Sequence, residues 1–274
     1  MTDSIWTPLM LTMIAGLSTG IGSIIAVVKR KPGNMFFSVS LGFSAGIIIF
    51  VSLVELYGSA RNSLAEIMNA DTAYMITVLS FFAGISVIAV IDMLIPEPEN
   101  PHEFKIADLR RTGHSQDFEK YASLNRMGLM MALAIGIHNF PEGFATFMAG
   151  TADTSIALSV TLAIALHNIP EGIAVAVPVY FATGSRKKAF FWSFVSGLAE
   201  PAGGLLGYMV FSGFESSMVI GITFAMVAGI MVYIAIDELL PSAEKYGMHH
   251  HTIIGFTAGM FLMAVSLMIF SVMN

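Results

Sequence analysis

The chain has no cysteine among its 274 residues, which excludes disulfides and thiolate metal sites. Any metal chemistry must therefore use imidazole, carboxylate, amide or thioether ligands. Charge is also scarce: 12% of residues are charged against 55% hydrophobic, and the mean hydropathy is +0.76. That composition excludes an ordinary water-soluble domain and indicates an integral membrane protein. The formal net charge of −6 says little, because the placement of charge matters more than its sum. The opening "MTDSIWTPLM" lacks a basic n-region and a small-residue cleavage pattern, so the first apolar stretch is expected to stay as a span and not be removed as a signal peptide.

A bilayer core takes about 20 apolar residues per helix. Eight segments satisfy this: 8–28, 35–57, 74–95, 127–148, 155–181, 189–211, 218–240 and 253–273. The expected fold is thus all-α and polytopic, a single domain over 1–274 with eight transmembrane helices. If the first helix enters from outside, Lys29, Arg30, Lys31, Lys105, Arg110, Arg111, Lys120, Arg126, Arg186, Lys187, Lys188 and Lys245 all face the cytoplasm, and only Arg61 faces out. This asymmetry obeys the positive-inside rule and places both termini outside the cytoplasm.

Residues 96–125 form the one long connection and are expected to be a mobile cytoplasmic loop with no second folded domain. Its His102 and His114 are read as solvated. The "MHHH" run at 248–251 is a stronger candidate for metal affinity, at the cytoplasmic end of the seventh span.

Two repeats lie inside the spans. "LAIGIHNFPEGFA", from Leu133, aligns with "LAIALHNIPEGIA", from Leu162. "AGIIIFVSLVEL", from Ala45, is echoed by "AGIMVYIAIDEL", from Ala228. In both pairs the two copies run in opposite directions through the membrane, the pattern of inverted-repeat transporters whose substrate sites lie at mid-depth.

In a helix, residues i and i+4 share a face, so His138 stands beside Glu142 and His167 beside Glu171, with Asn139 and Asn168 one step around. Each copy offers a nitrogen, an amide oxygen and a carboxylate. Pro141 and Pro170 cannot bond the carbonyls of Ile137 and Leu166, so each helix should kink beside its polar cluster. Gly143 and Gly172 remove bulk, which is expected to let the fourth and fifth spans approach one another closely.

No basic residue lies within the eight spans, whereas acids occur at Glu55, Asp92, Glu142, Glu171, Glu200, Asp237 and Glu238. An interior with acids and no fixed bases suits a cation path, with protons taking the place of an absent metal. Glu200, in "GLAEPAGG", supplies a further carboxylate. With Asn139, Glu142, Asn168 and Glu171 it completes a second, oxygen-rich position, the two motif glutamates bridging two metals. Mixed imidazole and carboxylate ligands suit Zn²⁺, Fe²⁺, Mn²⁺ or Cd²⁺ better than Ca²⁺ or Mg²⁺. Glu55, Asp92, Asp237 and Glu238 lie near helix ends, where entrance or exit ligation and simple capping or solvation account for them equally well. The 20 methionines are dispersed, and core packing explains them better than copper(I) binding.

With "HNFPEG", "HNIPEG", "AEPAG", "AGIMVYIAIDELLPSA" and a long loop after the third span, the chain resembles the ZIP (zinc/iron-regulated transporter-like) family, and within it the bacterial zinc transporters. The resemblance covers essentially the whole chain. It implies import of Zn²⁺, and also Fe²⁺, Mn²⁺ or Cd²⁺, into the cytoplasm across a bacterial inner membrane. Glu142, His167 and Glu171 are implied at a zinc-type position neighboured by His138. Asn139, Glu142, Asn168, Glu171 and Glu200 are implied at an adjacent iron-type position. It further implies alternating access by movement of some helices against others, and a homodimer. The partners expected are the divalent cation as substrate and the lipid bilayer, with no nucleic acid and no resident cofactor. Two other classes share parts of this pattern: an intramembrane metalloprotease, for which "HNFPE" lacks the second histidine of H-E-x-x-H, and a metal-sensing receptor.

Overall fold

In the computed structural model, residues 5–28, 33–94, 115–152, 154–211, 216–245 and 248–273 are described, and among them every regular element is helical. In chain order these are α1 (Trp6–Val27), α2 (Asn34–Phe50), α3 (Tyr57–Ala65), α4 (Ala70–Leu94), α5 (Ser115–Ala152), α6 (Thr154–Thr183), α7 (Arg186–Gly197), α8 (Ala199–Phe211), α9 (Ser216–Ile234), α10 (Leu240–Lys245) and α11 (His249–Met273). Two π-helical segments, Val51–Leu56 and Ala235–Leu239, join α2 to α3 and α9 to α10.

Among the described residues, six helices are long and apolar enough to cross a bilayer: Trp6–Val27, Asn34–Ala65, Ala70–Leu94, Ile164–Thr183, Ser217–Glu244 and His249–Ile269. The other two expected spans fall on α5 and on the α7–α8 pair. Helix α5 has 38 residues and begins at Ser115, so residues 115–125, expected as loop, are helical instead. The remainder of that loop, with His102 and His114, lies outside the described residues. α7 and α8 have 12 and 13 residues. At 1.5 Å per residue, neither alone crosses a hydrocarbon layer of about 30 Å.

The break between them has a local cause. Pro201 has no N–H for the carbonyl of Gly197 and its ring clashes with that oxygen; α7 ends at Gly197, and α8 resumes with Pro201 in its first turn, where proline is tolerated. Pro141 and Pro170, by contrast, lie within α5 and α6, which continue through them.

The echo around Ala45 and Ala228 is structural as well as sequential. The N–H of Tyr57 bonds the carbonyl of Ser52, and the N–H of Leu240 bonds that of Ala235, both five residues back. With Ala45 aligned on Ala228, these two π turns occupy the same register, and Glu55 aligns with Glu238. Such bulges inside helices cluster at functional positions.

Two groups of helices emerge from the packing. α1 lies along α6, and α5 packs on α6 and α8, with α7 against α1 and α6. Separately, α2 packs on α11, and α9 on α4 and α3. The groups meet where α2 crosses α6 and α5 crosses α9. The seam is filled by Phe37, Leu41, Met127, Met131, Ile135, Val175, Val177, Ala228 and Met231, all buried in one apolar cluster. Met127 and Met131 thus serve as core packing. On the outside, Phe261 is 70% and Met209 68% exposed, as suits side chains meeting lipid rather than water.

Candidate metal centre

The described polar side chains of both histidine motifs point inward. His138, Asn139, Asn168 and Glu200 have no exposed surface, and Glu142 and Glu171 almost none. An unpaired carboxylate in such a place costs several kcal/mol even after relaxation, so these groups must find partners in one another or in a cation.

The helical i, i+4 relation brings His138 Nε2 to 3.1 Å from Glu142 Oε1, as the spacing predicts. The same nitrogen lies 3.2 Å from Oε1 of Glu171, on α6. One imidazole therefore stands between carboxylates from both motif copies. Asn168 extends the cluster: its Nδ2 donates to Glu200 Oε2 at 2.8 Å and to the carbonyl of Ala15 at 3.0 Å. Asn139 Nδ2 donates to the carbonyl of Ser196 at 3.2 Å. Five of the seven residues singled out in the sequence, His138, Glu142, Asn168, Glu171 and Glu200, are thus gathered from α5, α6 and α8, while Asn139, buried next to His138 on α5, turns to α7. The side chain of His167 lies outside the described residues.

The donor balance is one-sided. Among the described residues, Asn139 Oδ1, Asn168 Oδ1, Glu171 Oε2 and Glu200 Oε1 are buried without a hydrogen-bond donor. Both asparagines spend their N–H groups on neighbouring oxygens, which leaves their amide oxygens for a cation. Each unsatisfied buried acceptor costs roughly 1–3 kcal/mol. A divalent cation would satisfy several at once, and the chemistry suits it: imidazole nitrogen, amide oxygen and carboxylate are all ligands for borderline metals. Among the described residues no group of three or more His, Asp or Glu side chains is spaced to hold a metal ion as it stands; His138 Nε2 occupies the space between the Glu142 and Glu171 carboxylates.

Glycine sets the helix spacing, but not between the expected pair. A Cβ on Gly143 would run into the backbone carbonyl of Glu200, and one on Gly172 into that of Thr19. The two motif glycines therefore bring α5 onto α8 and α6 onto α1, and not the fourth span onto the fifth. The reason is angular: Gly143 and Gly172 each follow the glutamate by one residue, about 100° around the helix, and so face a different neighbour.

Sequence reasoning missed the part played by α1. Its Ala15 carbonyl accepts from Asn168, and Thr19 faces Gly172. The available signal was the small-residue run "AGLSTGIGS" from Ala15, typical of close helix contact in membranes. Ser44 was missed as well; its hydroxyl donates to the carbonyl of Pro170 at 2.9 Å.

The acids near helix ends stay apart from this centre. Glu55 is exposed, with the Ser59 hydroxyl 3.5 Å away. Asp92 and Glu238 are held by Arg126, at 2.7 and 3.5 Å. In the histidine run, His249 Nδ1 lies 2.8 Å from Glu244 Oε1 at the surface.

Comparison with known proteins identifies the family. The family model described as "ZIP Zinc transporter" matches residues 97–267. The zinc transporter ZupT of Streptococcus mutans is 53% identical over 270 residues, covering 98% of this chain and 100% of its own. ZupT of Chlorobium chlorochromatii is 53% identical over 99% of this chain, and that of Clostridium perfringens 49% over 95%. These are membrane transporters, which sets aside the metalloprotease alternative. The chain belongs to the ZIP family of zinc transporters.

Proposed function

We propose that the chain imports divalent metal, with Zn²⁺ as the principal cargo and Fe²⁺, Mn²⁺ and Cd²⁺ as further substrates. The observation that carries this reading is the meeting of His138, Glu142 and Glu171 across two helices beside the Asn168–Glu200 pair, with several buried oxygens lacking donors.

In this reading the ion exchanges its hydration shell for protein ligands at mid-depth. One position takes Glu142, His167 and Glu171, with His138 alongside. A second takes Asn139, Glu142, Asn168, Glu171 and Glu200, so that the two glutamates bridge a binuclear site. His138 exchanges its carboxylate contacts for metal as the ion arrives. Eight spans built as inverted repeats place both termini outside the cytoplasm and the loop of residues 96–125 inside. The matched π turns at Ser52 and Ala235 support that repeat. A bacterial inner membrane and a homodimer complete the reading.

Proteoliposomes containing only this protein should take up Zn²⁺ saturably, and Glu142→Ala and Glu171→Ala should each abolish uptake. Folded protein that gives no uptake above empty vesicles would reject the proposal. Competition by a panel of divalent ions in the same vesicles ranks the metals.

A further inference from the structure

Every side chain at the metal centre, and each backbone oxygen its asparagines bind, belongs to one of the two helix groups, α1 with α5, α6, α7 and α8. Arg126 belongs to that group by sequence but not by its contacts. It lies on α5, three turns before His138, and reaches across to the other group. Its Nη2 is 2.7 Å from Asp92 Oδ1 and 3.3 Å from the Asp92 carbonyl, at the end of α4. Its Nη1 is 3.5 Å from Glu238 Oε1, in the π segment after α9. The three side chains are 22%, 21% and 15% exposed, so water screens them only partly. A planar guanidinium can bridge two carboxylates on different helices in a way that a lysine point charge cannot.

We infer that Arg126 is an electrostatic pin between the metal-bearing helices and the rest of the protein, made in the conformation seen here and broken when the two groups move past each other. This rests on the carrier reading above. Three features set the pin apart from a capping contact. It joins two helices of the second group at once. One of its acids, Glu238, sits on a π turn, where the backbone ladder is already shifted. Arg126 is itself part of the helix that carries His138 and Glu142, so any slide of α5 must pull it away from both acids. Arg126 is thus a positioning residue for transport and does not touch metal.

The absence of cysteine allows a clean distance measurement. Spin labels at Met93→Cys, on α4, and Lys188→Cys, on α7, report the separation of the two groups at one end of the bundle. Both positions are exposed. Measured on full-length protein in lipid without metal, Arg126→Gln should move a major part of the distance distribution by about 5 Å, the scale of a one-turn slide. The ratio of populations should change roughly tenfold, within the range for contacting charge networks. The swap of Arg126→Asp with Asp92→Arg should restore the original distribution. In uptake assays, KM for Zn²⁺ should stay within about twofold while Vmax changes, since the metal ligands are untouched. If Arg126→Gln fails to fold, Asp92→Asn tests the same contact from the other side. An unchanged distribution in the folded variants overturns the inference, as does a shift that the swap leaves unreversed.

Discussion

Replacing Gly143 by alanine tests the centre through its spacing alone, without touching a ligand. A Cβ at this position would stand 2.5 Å from the backbone carbon of Glu200 and 2.9 Å from its Cα. Packed carbon atoms need about 3.5–4.0 Å. The obstacle is main chain, which no rotamer change can move, so α8 must retreat by about 1 Å and carry Glu200 with it. Metal–ligand distances tolerate about 0.2 Å, and that retreat is several times larger. Loss of one supporting group typically weakens a metal site by 10–100-fold. We therefore expect Gly143→Ala to raise KM for Zn²⁺ at least about tenfold in proteoliposome uptake, or to reduce uptake below detection. Gly136→Ala on the same helix provides the control. Its Cβ would meet only the Ala199 Cβ at 4.0 Å, an ordinary contact, and alanine is the better helix former by about 1 kcal/mol. It should transport as the wild type does. Thermal unfolding of both purified variants separates a misplaced ligand from a misfolded protein. Wild-type KM in a folded Gly143→Ala variant would refute the claim that α5–α8 contact positions Glu200.

Further outcomes follow from individual contacts. Asn168→Ala removes the donor to Glu200 Oε2 and to the Ala15 carbonyl, so it should lose about 1–3 kcal/mol of stability and at least tenfold in metal affinity, read by unfolding midpoint and by calorimetry. Pro201→Ala restores an N–H for Gly197 and should close the break at Leu198, giving a protein that is more heat-stable but slower in uptake. Substituting His249 and His250 together with alanine should leave uptake within about twofold, because His249 pairs with Glu244 at the exposed surface. Metal entering a cluster of carboxylates and histidines displaces bound protons, so Zn²⁺ addition in weakly buffered detergent should acidify the medium. Identical uptake rates from pH 5.5 to 7.5 would argue against that coupling.

Six spans were legible because they are long and apolar, and a chain in lipid must satisfy its backbone within the helix. Placing His138 beside Glu142 needed only the helical period. What pattern reading did not supply was direction around the helix. Gly143 and Gly172 were assigned to contact between the two motif helices, yet they face α8 and α1, because sequence repeats reveal which residues recur and not which neighbour each one meets. Arg126 was read only as one of the charges facing the cytoplasm for the same reason. Its partners, Asp92 and Glu238, are 34 and 112 residues away, and no local rule links them. The break at Leu198 was within reach, since Pro201 and Gly197 stand four apart.

Sequence alone determined the chemistry: no thiols, few charges, and two copies of histidine, asparagine and glutamate inserted where burial costs most. It also fixed the helical state, since a hydrocarbon medium leaves the backbone few alternatives. Only the tertiary structure decided that one imidazole bridges both glutamates, that α1 supplies an oxygen to the centre, and that an arginine ties the metal-bearing helices to the rest. These depend on how helices rotate and press against one another, and that is set by where glycine lets two backbones touch, a property of pairs of helices that a linear pattern does not record.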